Sequence, residues 1–458
     1  MIARSLAPLR LAAAALSLSL SPLALAQSCP EGKDPAKIEL NFGAGSMSAA
    51  FSQGVLLEGS DGELYLSIEF ATKKAKSSTR PPLNLSIVID RSGSMSGDKI
   101  ESAKEAASGL IENLGPSDRV SLVQYDHQAQ VLVPSTLADE KGKSALMAAL
   151  DGITPGGSTN LHDGMALGIE EVISKQDAGQ ASRVILLSDG RANSGIVDPS
   201  ELALDASAAA ERGIRVTTVG LGLDYNEDLM EDIAINGAGH YYYVKGAADL
   251  QPIFAGELSD LQDTVATRAE LRLEPSCTDV EIIEVYGYRM KREGGAVVIP
   301  IPDLAGGDTR KVVLRVKANA ARVSSGNVLK TSFAFDDRAG KRQESKGGLG
   351  LVISKDKKAS VASVNKDVLA KATEIEAARA LRDAATAYDK GDADQAQSTI
   401  KKAKEKASKQ AKTYGFSDDL VQGSLKAAET DFAKPAPSAE HRKDAVKRNK
   451  ANSNSAMY

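Results

Sequence analysis

Between residues 83 and 263, short apolar runs that suit a β-strand take turns with longer stretches whose apolar residues recur every three or four positions. The runs fall at 85–89, 120–125, 184–187, 216–221 and 240–244; the helical stretches fall at 99–114, 161–174, 199–212 and 247–264. Strict alternation of this kind drives right-handed crossovers, because only that hand lets a twisted strand and its helix pack back onto the sheet. The expected fold is α/β, a doubly wound and mostly parallel sheet covered by helices on both faces. With aromatics at 4% and no Trp, its core must rest on Val, Ile, Leu and Ala, which suits strands buried on both faces. Ligands of such sheets sit beyond the carboxyl ends of the strands.

The flanks obey a different period. Residues 37–80 and 267–353 alternate apolar and polar in short runs between Gly-rich and Asp-rich turns, the signature of antiparallel strands. An N-terminal β region over 27–82 and a second over 265–356, both sandwich-like, therefore bracket the α/β module at 83–264. The two can form one domain into which the module is inserted. Residues 357–415 are Ala-rich and helical in period with a break at 388–392, a C-terminal helical hairpin. The remainder, 416–458, is rich in Lys, Ser and Asn, has little to bury, and is expected to be partly disordered.

Arg4 and Arg10 precede an apolar run that ends at Ala24-Leu25-Ala26. This order of charged, apolar and small-x-small segments reads as a signal peptide over 1–26 and a secreted or periplasmic, cell-envelope location. The alternative is an N-terminal anchor, for which the run is short; no later stretch is apolar and long enough to span a bilayer. Cys29 and Cys277 are the only cysteines, and in an oxidising compartment an even pair reads as one disulfide, with two unrelated thiols as the alternative.

Directly after the first parallel run stands Asp90-Arg91-Ser92-Gly93-Ser94-Met95-Ser96-Gly97, followed by a helical stretch. Asp-x-Ser-x-Ser at a strand end resembles the metal-ion-dependent adhesion site of von Willebrand factor A-type (VWA) domains. In that family a threonine and an aspartate from later loops complete the site, and the resemblance places them at Thr159 and Asp189. The implied ligands are Asp90, Ser92, Ser94, Thr159 and Asp189, and the implied cofactor is Mg²⁺, or Mn²⁺ or Ca²⁺. The residue types make physical sense. Hard cations take oxygen donors, and Mg²⁺ wants about six of them; two carboxylates balance its charge while three hydroxyls leave it electrophilic. A protein partner presenting Asp or Glu would then complete the shell. The overall layout also resembles bacterial secreted proteins labelled as calcium-activated chloride-channel or inter-α-trypsin-inhibitor heavy-chain homologues, a label that carries no activity by itself.

Charge excludes one class of partner. Between 83 and 263, 12 Lys and Arg face 28 Asp and Glu, a net −16 that repels nucleic acid. Lys401, Lys402, Lys404, Lys406, Lys409 and Lys412, with Arg442, Lys443, Lys447, Arg448 and Lys450 in the tail, read either as a contact for an anionic surface or as a solvated helix face. The rival to a binding role is a metal-dependent hydrolase in which His162 or Asp163 serves as base. No second base or orienting pair is visible, so no catalytic residue is assigned.

Overall fold

The computed structural model describes residues 36–74, 80–177, 180–432 and 438–457. The chain begins with strands β1 (Lys37–Phe42), β2 (Gly45–Phe51), β3 (Val55–Leu57) and β4 (Asp61–Thr72). It then enters the α/β module: β5 (Leu83–Asp90), α1 (Asp98–Glu112), β6 (Arg119–Tyr125), β7 (Ala129–Leu137), α2 (Glu140–Asp151), α3 (Leu161–Ser174), β8 (Ala181–Ser188), α4 (Pro199–Glu211), β9 (Ile214–Leu221), α5 (Glu227–Asn236), β10 (Ala238–Val244) and α6 (Leu250–Asp263).

Its six strands run in the order β10-β9-β8-β5-β6-β7, and every neighbour pair is parallel except β6 with β7. Every residue of β5, β8 and β9 is buried, as a sheet covered on both faces requires. Helices α1, α2 and α6 pack one face; α3, α4 and α5 pack the other. The chain leaves β5 for β6 on one side and returns to β8 on the other, so the topological switch lies between β5 and β8. Three elements depart from the strict alternation read in the sequence: β7, α2 and α5. The first is an antiparallel edge strand carrying Pro134, and most of its residues are only half-buried, which blurs its period.

After the module come β11 (Thr264–Pro275), β12 (Val280–Val285), β13 (Lys291–Glu293), β14 (Ala296–Ile301), β15 (Leu304–Ala305), β16 (Thr309–Asn319), β17 (Gly326–Asp337) and β18 (Arg342–Ser354). Strands from both flanks share sheets. The order β1-β2-β4-β16-β12 makes one, and β13-β14-β11-β17-β18-β3 the other. β4 and β16 pair over eleven residues, from Asp61 opposite Asn319 to Ala71 opposite Thr309. One hydrophobic core fills the space between the sheets, with Phe42, Phe70, Phe333 and Phe335 in contact at its centre. The module is thus an insertion between β4 and β11 of a single sandwich. Cys277 is buried in that core; its expected partner Cys29 and the signal segment 1–26 lie outside the described residues.

The C-terminus holds α7 (Lys357–Ala362), α8 (Lys366–Asp389), α9 (Ala393–Tyr414), α10 (Asp419–Asp431) and α11 (Ala439–Met457). The hairpin of α8 and α9 turns at 390–392. The tail expected to be partly disordered carries two helices among its described residues, α10 and α11, packed against the rest. Helix α11 lies along α8 and β10, and its cations meet acids of the α/β module. Lys447 and Lys450 are 3% and 1% exposed; they pair with Glu227 at 2.7 and 3.1 Å, and Lys450 also reaches Asp228 at 2.7 Å. Lys443 pairs with Asp224 at 2.7 Å. Lys443, Lys447 and Lys450 thus meet acids at the start of α5 and in the loop before it, whereas Arg448 pairs with Asp431 and Asp444 of the C-terminal helices. Low hydrophobicity predicts disorder only when nothing offsets the lost entropy; here charge complementarity does.

Candidate metal centre

Asp90 closes β5 and Asp189 follows β8, so the switch point sets the two carboxylates side by side. Asp90 is fully buried. Its Oδ1 accepts from the Ser92 amide at 2.8 Å and its Oδ2 from the Ser188 hydroxyl at 2.8 Å. Burial pushes its carboxyl up to about 6, against the pull of those donors and with the added push of Asp189. Among the described residues no ion pair with Lys, Arg or His offsets this charge.

The next residues form a 3-10 turn, Gly93–Met95, that leads into α1. It brings the Ser92 and Ser94 hydroxyls to 3.1 Å from each other, and Ser94 donates to Asp189 Oδ1 at 2.7 Å. Thr159 arrives from the loop between α2 and α3. That loop is stitched on both sides: the Thr159 amide donates to Asn193 Oδ1 at 2.8 Å, and the Asn193 and Ser194 amides donate back to the Thr159 carbonyl at 3.1 and 3.3 Å. On the other flank the Gly93 amide donates to Gly157 O at 3.1 Å and the Gly156 amide to Arg91 O at 2.7 Å.

Arg91 fastens the same loop, donating to Thr154 O at 2.9 Å and to the Asp126 carboxylate. The motif position that reads as non-ligating thus works as a clamp. Gly157 has φ +79°, and a Cβ there would fall 2.8 Å from His127 Nδ1 and 3.0 Å from Asp126, so only glycine lets the loop approach.

The five sequence-named side chains are brought to one place. A Cβ added to Gly190 would meet Thr159 Oγ1 at 3.1 Å, Ser94 Oγ at 3.5 Å and Ser92 Oγ at 3.9 Å; three hydroxyls from two loops surround one small space beside Asp189. Among the described residues no group of three or more His, Cys, Asp or Glu side chains makes a cage. The donor set is instead two carboxylates and three hydroxyls, all hard oxygens, with a buried carboxylate that lacks a counter-charge. These residues fit a Mg²⁺-type cation.

Sequence reasoning missed Lys99. From the first turn of α1 its ammonium reaches Asp189 Oδ2. The only signal was its place three residues after Ser96. His162, the base considered for a hydrolase, has Nδ1 at 2.9 Å from Asp163 and Nε2 at 3.0 Å from Asp205. Both ring nitrogens are taken by carboxylates.

The von Willebrand factor type A domain family matches residues 84–256. Protein sll0103 of Synechocystis sp. is 31% identical over 209 residues, which are 46% of this chain and 49% of that protein. Human inter-alpha-trypsin inhibitor heavy chain H4 is 27% identical over 231 residues, 48% of this chain and 24% of that one. The chain thus spans half or less of the length of these relatives. Among solved structures, a von Willebrand factor type A protein from Catenulispora acidiphila is similar with TM-score 0.70 at 18% identity, covering 91% of this chain and 98% of that one. The ArnB paralog VWA2 from Sulfolobus acidocaldarius follows with TM-score 0.64 at 18% identity, over 91% and 99%.

Proposed function

Since residues 84–256 are a von Willebrand factor type A domain, we propose that this protein is an extracytoplasmic binding module whose adhesion site holds one Mg²⁺-type cation and captures a partner protein through the partner's Asp or Glu. Asp90, Ser92, Ser94, Thr159 and Asp189 would hold the cation. When bound, the cation supplies a Lewis-acidic position that an incoming carboxylate completes. The observation that carries this reading is the gathering of three hydroxyls around Gly190, beside two buried carboxylates of which Asp90 has no cationic partner among the described residues. A binding role suits the site better than hydrolysis, because His162, the base considered for a hydrolase, has both nitrogens engaged.

The same reading takes 1–26 as a cleaved signal and Cys29–Cys277 as a disulfide tying the mature N-terminus to the sandwich. Thiol titration of the denatured, non-reduced protein should find no free thiol. No described helix is long and apolar enough to cross a membrane.

Calorimetric titration of the full chain with Mg²⁺ and Mn²⁺ tests the site. The expected result is one site per chain, lost in Asp90→Ala; the absence of any heat for the natural chain would sink the cation reading. A pull-down from the native cell envelope with and without chelator tests the partner, which should be retained only when the cation is present.

A further inference from the structure

Lys99 is the feature at this site that the proposed function does not use. Asp189 is fully buried, and both of its oxygens are engaged: Oδ1 accepts from the Ser94 hydroxyl, and Oδ2 pairs with the Lys99 ammonium, whose side chain remains 31% exposed. The two candidate carboxylates therefore stand in opposite states. Asp90 has only hydrogen bonds from neutral donors, while Asp189 already has a positive charge of its own.

A single ammonium cannot do what a divalent ion does here. It brings one charge on a flexible stem, and it leaves Asp90 buried with no cationic partner among the described residues. A divalent ion held with the help of Asp189 would place a second cation on a carboxylate that Lys99 already neutralises, and the two cations would repel. The stem has somewhere to go. Lys99 Nζ and Cε lie 3.6 and 3.7 Å from the point a Cβ on Gly222 would occupy, so the lysine runs beside the loop after β9. That loop carries Asp224, 68% exposed and paired at 2.7 Å with Lys443 of α11.

We infer that Lys99 is a resident counter-ion of the adhesion site, which competes with the divalent cation for Asp189 and lowers the site's affinity while keeping the cation-free fold intact. The inference rests on the cation-binding reading above. Its consequence is a site with two balanced states, lysine-filled and cation-filled, in which Asp189 is never left buried and unpaired.

The experiment compares the full-length natural chain with Lys99→Met and Lys99→Arg by Mn²⁺ calorimetry, and by thermal unfolding in chelator and in saturating Mn²⁺. Lys99→Met should bind Mn²⁺ about tenfold more tightly or better, the factor expected when a competing ion pair is removed from a buried carboxylate. Its unfolding temperature should drop in chelator and recover in Mn²⁺. Lys99→Arg, which keeps the charge, should stay within about threefold of the natural affinity. Equal or weaker binding by Lys99→Met while the natural chain binds would overturn the inference, and would make Lys99 a positioning residue that orients Asp189. If neither protein binds Mn²⁺, the cation reading fails and this inference with it. Should Lys99→Met not fold in chelator, Lys99→Gln carries the same titration, with the same tightening expected.

Discussion

The two ends of the inserted module bury carboxylates in contrasting ways. At the carboxyl ends of the strands, Asp90 and Asp189 are held by hydroxyls, one amide and one flexible ammonium. At the amino ends of the same strands, Arg183 of β8 and Arg215 of β9 face Glu257 of α6 and Asp303 of the sandwich. Glu257 also accepts from Thr217 at 3.1 Å and Tyr242 at 2.6 Å, and lies 2.7 Å from His240 Nδ1. Burial would raise its carboxyl, yet Arg183 and His240 together hold it well below the usual range. Arg215 donates to Asp303 at 3.2 Å and to Ile301 O at 2.9 Å. The planar guanidinium supplies directed donors and keeps its charge, so this end joins module to sandwich permanently. On the function proposed above, the hydroxyl-lined end is the one that exchanges what it holds.

The sharpest break of this comparison is Glu257→Ala. It leaves the buried Arg183 with only Asp303, 3.9 Å away, among the described acids and should cost about 3–5 kcal/mol in denaturant unfolding. A loss below about 1 kcal/mol would mean that this end of the module is not held by fixed charge.

Next in size is Asp90→Ala at the exchangeable end. It should weaken Mn²⁺ binding by about a hundredfold or more, read by calorimetry, while the fold survives because a poorly compensated buried charge is removed.

A third site tests whether fixed ion pairs also hold the C-terminal helix. Burial favours the neutral acid at Glu227, but Lys447 and Lys450 overcome it and pull the carboxyl down to about 2 from 4.5. As pH falls, the unfolded chain takes up the proton first. The stabilisation is therefore complete above about pH 4.5 and lost toward pH 2, by about 3 kcal/mol. Glu227→Gln should be less stable than the natural chain at pH 7 and match it near pH 2.

The smallest effect is expected from Gly190→Ala. Its Cβ would press on Thr159 Oγ1 at 3.1 Å, lowering cation affinity about tenfold while changing stability by less than about 1 kcal/mol.

Much of the module was legible in the chain. The apolar runs at 85–89 and 184–187 are continuous because parallel strands bury both faces, and that same burial dictates where their carboxyl ends emerge. Asp90 stands directly after the first of those runs and Asp189 two residues after the second, the places where the resemblance put two of its implied ligands. Helix α5 was not, because Glu227, Asp228, Glu231 and Asp232 crowd it with charge that α8 and α11 neutralise: Arg382 pairs with Glu231, and Lys450 with Asp228. The ordered tail was hidden for the same reason, seen from the other partner.

By itself the sequence determined the α/β module and the interruption of one β pattern by another. Local period and local composition carry those facts, since each depends on residues a few positions apart. Tertiary structure alone decided that Lys99 lies on Asp189, that Arg91 clamps the loop of Thr159, that β4 pairs with β16, and that Lys447 and Lys450 are buried on α5. Each of these joins charges or strands far apart along the chain, or turns a side chain toward one of several nearby acids. Only packing chooses among such partners, because one Lys–Asp pair is chemically like any other until burial removes water as the alternative.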